Sequence, residues 1–129
     1  MSRIERLLLL VMGAFYVFAG ANHFANPDFY LPMMPAWLPA HRLLIDLSGL
    51  AEIACGVGVL VRETRVAAAW GTIALLIAVF PANLHVALHD VPIGGATQGA
   101  GALNYLRLAF QPVLIAWAWW YTRSDGADG

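Results

Sequence analysis

Charge is what this sequence has least of. Only 12 % of its 129 residues are charged and 60 % are hydrophobic, whereas a soluble domain carries about a quarter charged residues. Lysine is absent, all seven basic residues being arginine, and no basic run occurs; nucleic acid is thereby excluded as a partner. A single cysteine, Cys55, excludes an intrachain disulfide and any C-x-x-C redox pair. Four-helix membrane enzymes that reduce quinones through paired thiols are excluded with them. Also missing is a charged stripe along the first and third apolar segments, which every helix of a soluble bundle would need. The length suits one domain.

What is present is a set of four apolar segments, each near the roughly 20 residues that a helix needs to cross a bilayer. They predict an all-α fold: a single transmembrane domain over 1–129, with helices at about 5–24, 43–61, 65–86 and 103–122 and a short disordered tail at 123–129. The start also resembles a signal peptide, with Arg3, Arg6, an apolar stretch and Ala19-Gly20-Ala21. Its apolar stretch exceeds the roughly 15 residues usual for such a peptide, which favours a retained helix. Arg3, Arg6, Arg62, Arg65 and Arg123 fall on one side of this four-helix bundle and Arg42 and Arg107 on the other. By the positive-inside rule both termini are cytoplasmic, as expected of a multi-pass protein of a bacterial inner membrane. Trp117, Trp119, Trp120, Tyr121 and Trp70 form an inner aromatic belt. The turn Arg62-Glu63-Thr64-Arg65 makes the second and third helices antiparallel neighbours. Between the first and second, Pro27, Pro32, Pro35 and Pro39 stand among Phe29, Tyr30, Met33, Met34 and Trp37. That segment is too proline-rich for a helix and too apolar for water, so an interfacial cap over the outer end is expected. The Gly-rich connection from Asp90 to Gly101 is expected to be mobile.

Polar groups within hydrocarbon are costly, so their positions carry information. Asp46, Gly49, Glu52 and Gly56 share one face of the second helix, and Gly13, Tyr16, Gly20 and His23 share one face of the first. Asn104, Arg107 and Gln111 share a face of the fourth; Pro81, Asn83 and His85 close the third. Given the antiparallel order, these groups collect in the outer half of the bundle. Glu52 lies about 9 Å deeper than Asp46, where it needs a proton, a hydrogen bond from Gln111 or Tyr16, or a water-filled cleft. Arg107 with Asp46 is the candidate structural ion pair. Pro81 and Pro112 free the carbonyls of Ile77 and Leu108 and should open a pocket near the polar zone.

His85 and His89, at i and i+4, have the spacing of a zinc pair, but only Asp90 or His23 offers a third ligand. Haem would need imidazoles from two helices, leaving His23 with His85. Neither zinc nor haem is expected. His41 reads as interfacial.

The stretches Phe18-Ala19-Gly20-Ala21-Asn22-His23-Phe24, Met34-Pro35-Ala36-Trp37-Leu38-Pro39, Ser48-Gly49-Leu50-Ala51-Glu52-Ile53, Phe80-Pro81-Ala82-Asn83 and Arg107-Leu108-Ala109-Phe110-Gln111-Pro112 together resemble DoxX-like membrane proteins. The resemblance covers residues 5–122. It implies four membrane helices. It also implies a role as a subunit of a quinone-reducing oxidoreductase, a partner in an oxidant-defence complex, or an assembly helper.

The expected function is a membrane subunit that binds a quinone or similar lipophilic ligand. Glu52 and His23 would be the catalytic, proton-handling pair, and Arg107, Gln111, Asn83, Asp46, Tyr16 and His85 the ligand-binding groups. No cofactor motif accompanies them, so any catalysis needs a soluble or membrane redox partner. The alternatives are a non-enzymatic assembly or scaffold protein and a small-molecule carrier, for which a homo-oligomer would supply the extra helices.

Overall fold

A computed structural model describes residues 1–93 and 96–123. Helix α1 spans Arg3–Ala25, α2 Pro27–Tyr30, α3 His41–Leu60, α4 Arg65–His89 and α5 Ala102–Trp120; no strand occurs among the described residues. The four long helices differ from the expected ranges by up to three residues at their ends. α1 starts early because Ser2 and Glu5 form a reciprocal capping box. α4 runs on to His89 and stops where Asp90 takes a left-handed conformation. Both α4 and α5 continue unbroken through Pro81 and Pro112.

The cap differs from expectation in containing helix. Pro27 opens α2, a position where its missing N–H costs nothing, and a 3-10 turn follows at Leu31–Met33. His41 anchors the cap, its Nε2 lying 3.0 Å from the carbonyl of Pro35. Gly94 and Gly95 of the second connection, and 124–129 of the expected tail, lie outside the described residues. The two ends of that connection are held together. Asp90 Oδ1 accepts from the Gly101 N–H at 2.9 Å and from the Asn104 side chain at 3.4 Å, so one carboxylate ends α4 and caps α5.

α1, α3 and α4 are long and apolar enough to cross a membrane, which marks the chain as a membrane protein. The expected fourth, α5, does not meet that standard. Asn104, Arg107, Gln111, Pro112 and its tryptophans dilute its hydropathy.

Helices pack in the order α1–α3–α4–α5. The α1–α3 seam is set by glycine. Gly13 faces Gly56 and Gly20 faces Gly49, seven residues apart on both antiparallel helices; a Cβ on Gly13 would stand 2.9 Å from the Gly56 carbonyl oxygen. Close backbone approach of this kind replaces the hydrophobic drive that lipid withholds. The turn into α4 is pinned by Arg65, buried, whose Nε donates to the Val59 carbonyl at 2.8 Å.

The core proper, made of Leu9, Met12, Tyr16, Val59, Ala69, Ile73, Ala118 and Tyr121, fills the half of the bundle that carries the termini. There α1 and α5 are joined directly. Tyr121 OH donates to the Glu5 carbonyl oxygen at 2.7 Å, and Trp120 Nε1 to Glu5 Oε2 at 3.1 Å. The start of α1 and the end of α5 therefore lie at one end of the molecule. Arg123 stacks above Trp120 and Trp119, its guanidinium carbon 4.0 and 5.2 Å from the ring centroids.

Candidate functional site

The glycine seam decides what meets in the outer half. A Cβ on Gly49 would stand 2.7 Å from His23 Cβ, so only glycine lets the imidazole lie across α3. His23 Nδ1 then sits 3.1 Å from the Ile45 carbonyl oxygen and 3.1 Å from Ser48 Oγ, and Ser48 Oγ itself donates to that carbonyl at 3.0 Å. A carbonyl only accepts, so Nδ1 carries a hydrogen. The other nitrogen, Nε2, is 3.2 Å from Glu52 Oε2.

With Nδ1 protonated, two states are available: a neutral carboxylic acid donating to bare Nε2, or a carboxylate facing an imidazolium. Each holds one proton between the two atoms. The approach is at ion-pair distance but off the line of a good hydrogen bond, and Glu52 Oε2 is shielded from solvent with no aligned partner. Tyr30 covers the imidazole, ring centroids 4.1 Å apart, and its hydroxyl accepts from Asn22 Nδ2 at 2.7 Å.

Across the bundle, Gln111 Nε2 donates to the Leu76 carbonyl at 2.8 Å and Gln111 Oε1 accepts from Asn83 Nδ2 at 3.3 Å. This bond ties α5 to α4 one residue before the carbonyl of Ile77 that Pro81 leaves free. Arg107, one turn outward on α5, is exposed, and among the described residues no carboxylate lies within ion-pair distance of it.

Two cavities meet at these groups. The smaller, about 170 Å³, lies under the cap and is lined by Tyr30, His23, Ser48, Glu52, Asn83 and Arg107 with apolar neighbours. The larger, about 510 Å³, opens between α1 and α5 among Phe15, Tyr16, Ala19, Phe110 and Leu114. Glu52, Val79, Asn83 and Arg107 border both. Tyr16 OH, on the wall of the larger one, is buried without a hydrogen-bond partner.

Six of the eight expected site residues thus converge: Glu52, His23, Arg107, Gln111, Asn83 and Tyr16. Two stand apart. Asp46 pairs with Arg42 on its own helix, Nε to Oδ1 3.3 Å at an exposed position, rather than with Arg107, because an i,i+4 partner is nearer than any group on α5. His85 stacks on His89, centroids 4.7 Å apart, and lines neither cavity. No cluster of three metal-ligating side chains exists among the described residues. Neither Gln111 nor Tyr16 hydrogen-bonds Glu52; His23 stands at ion-pair distance from it instead. Ser48 and Tyr30 are the additions. Ser48 had a signal, being one turn before Glu52 on the same face; Tyr30 had none, since its position depends on how the cap folds.

A family model described as a domain of unknown function (DUF8561) matches residues 12–122. The chain belongs to this family. The DUF8561 match contains every residue of the site and both glycine pairs of the seam, while leaving out the Ser2–Glu5 cap. No curated protein and no solved structure matches the chain.

Proposed function

We propose that this DUF8561 protein binds a lipophilic molecule by its polar head group, with a quinone head the best fit, as the membrane subunit of a redox or oxidant-defence assembly. One observation carries the proposal. Two shielded polar atoms without a hydrogen-bond partner, Glu52 Oε2 and Tyr16 OH, and an arginine without a carboxylate border one cavity whose other walls are largely apolar. Buried polar atoms in that state cost about 1–3 kcal/mol each, so a ligand that hydrogen-bonds them removes that cost. A quinone offers two carbonyl acceptors to Tyr16 OH, Arg107 and the second amide hydrogen of Asn83.

Reduction of a bound quinone to hydroquinone takes two electrons and two protons. The electrons would come from the reduced cofactor of a partner protein. The protons would pass one at a time through the Glu52–His23 pair, which recharges from solvent after each transfer. The resemblance to DoxX-like proteins supports the same class of role. In this proposal α5 is a fourth span. The Glu5–Tyr121 and Glu5–Trp120 bonds support its return alongside α1, and the arginine distribution supports cytoplasmic termini in a bacterial inner membrane.

The test is purification in mild detergent, mass spectrometry of the organic extract, and calorimetric titration with a short-chain benzoquinone. About one quinone per chain is expected, with Tyr16→Phe and Arg107→Ala each weakening binding about tenfold, or ~1.4 kcal/mol. Phospholipid alone in the extract, with no saturable titration, overturns the ligand role and favours an assembly protein.

A further inference from the structure

We infer that the site has two mouths with different traffic: a lateral cleft between α1 and α5 admits the lipophilic ligand from the bilayer, and a small chamber under the cap exchanges protons with water. This rests on the ligand role proposed above and adds the routes that serve it.

Sizes separate the two spaces. The cleft, at about 510 Å³, is within the roughly 300–1,000 Å³ of small-molecule sites. The chamber, at about 170 Å³, is too small for such a ligand but holds roughly five waters at ~30 Å³ each. Linings separate them again. Glu52, Asn83 and Arg107 border both, but His23 and Ser48 give polar partners to chamber water alone, whereas Phe15, Ala19, Phe110 and Leu114 flank the cleft alone.

The cleft exists because α1 and α5 are neighbours only through their terminal ends. Packing runs α1–α3–α4–α5, and the Glu5 bonds to Trp120 and Tyr121 close the far end alone. Toward the outer end Phe15 and Phe110, about half exposed at 48 % and 53 %, stand as rims. A larger groove of about 780 Å³ between α4 and α5, lined by Trp70, Phe80, Pro112 and Trp119, does not compete. Its polar side chains are Gln111, whose amide is already committed to Leu76 and Asn83, and the indoles of Trp70 and Trp119, which offer single N–H donors. The groove has no ionisable side chain that could pass a proton to a head group. Glu52 borders both cleft and chamber, and His23 faces the chamber only, so Glu52 is the partition through which a proton moves from water to ligand.

Thiol accessibility in proteoliposomes tests this without needing the ligand. In a Cys55→Ala background, Ser48→Cys reports on the chamber and Ala19→Cys on the cleft. A charged, water-soluble methanethiosulfonate should modify Ser48→Cys at least about tenfold faster than Ala19→Cys, and a lipid-soluble maleimide should reverse the order. Equal reaction of both thiols with the charged reagent, or a Ser48→Cys thiol it cannot reach, overturns the two-mouth arrangement. Adding the short-chain benzoquinone should then protect Ala19→Cys and spare Ser48→Cys. If the two reagents discriminate as expected but quinone protects neither thiol, the routes stand and the quinone role falls. If quinone protects Ser48→Cys and not Ala19→Cys, it binds by another route and the lateral mouth is wrong.

Discussion

A carboxyl and an imidazole 3.2 Å apart, with the far ring nitrogen held by a carbonyl, share one proton and cannot shed it without setting two lone pairs face to face. Substitutions at Glu52 therefore separate shape from acidity. Glu52→Gln still offers His23 an N–H and should leave the melting temperature in detergent unchanged while abolishing activity in a complementation assay; full activity would end the proton-handling proposal. Glu52→Leu removes the partner altogether and should cost about 1–3 kcal/mol, measured by thermal unfolding. Gln111→Leu breaks the bonds to Leu76 and Asn83 and should cost about 1 kcal/mol, in the range for interhelical hydrogen bonds in membranes. At this scale the sequence located the acid and the histidine, because polar residues are rare in apolar segments and each one stands out. It could not choose partners. Arg42 captures Asp46 and His23 captures Glu52 through distances that depend on how α3 rotates against α1, which residue spacing alone leaves open.

Among the elements, the α1–α3 seam is the least forgiving. A Cβ on Gly20 overlaps the Gly49 carbonyl oxygen, and one on Gly56 would lie 2.8 Å from the Gly13 carbonyl oxygen; neither backbone can retreat without separating the helices. Gly20→Ala and Gly56→Ala should each lower folded yield and cost at least about 2 kcal/mol, the range of strong overpacking. At Gly71 an added Cβ meets only Cys55 Sγ, at 3.2 Å, the end of a side chain that can turn away. Gly71→Ala should behave as wild type in the same unfolding assay, and a comparable loss there would show that the seam glycines are not special. Four long helices were legible from hydropathy and arginine placement. The short helix at Pro27–Tyr30 was hidden because four prolines in the cap mask the one that begins a helix instead of breaking it. The strength of α5 as a span was overread, since the polar face that builds the site also dilutes the apolar signal.

For the molecule as a whole, the join between Glu5 and the end of α5 makes a prediction about topology. Three spanning helices would place the termini on opposite sides of a membrane and four would place them together. Fluorescent-protein and alkaline-phosphatase fusions at the two ends should report the same compartment, the cytoplasm; opposite reports would leave α5 uncrossed. Tyr121→Phe should loosen the join by about 1 kcal/mol, read as a lower melting temperature with α1 becoming more sensitive to protease near Arg6. The meeting of the start of α1 with the end of α5 followed from parity of the helices, whereas the gap between α1 and α5 did not, because a pattern of apolar residues says which faces are greasy and not which pairs stay apart. The same join also bears on how the protein is made. Glu5 emerges from the ribosome more than a hundred residues before its partners Trp120 and Tyr121, so the hairpin of early helices must wait in the lipid with its first turn unsealed. Chains truncated before Trp120 would never close, and the cell's membrane proteases should clear them faster than any point variant of the polar cluster.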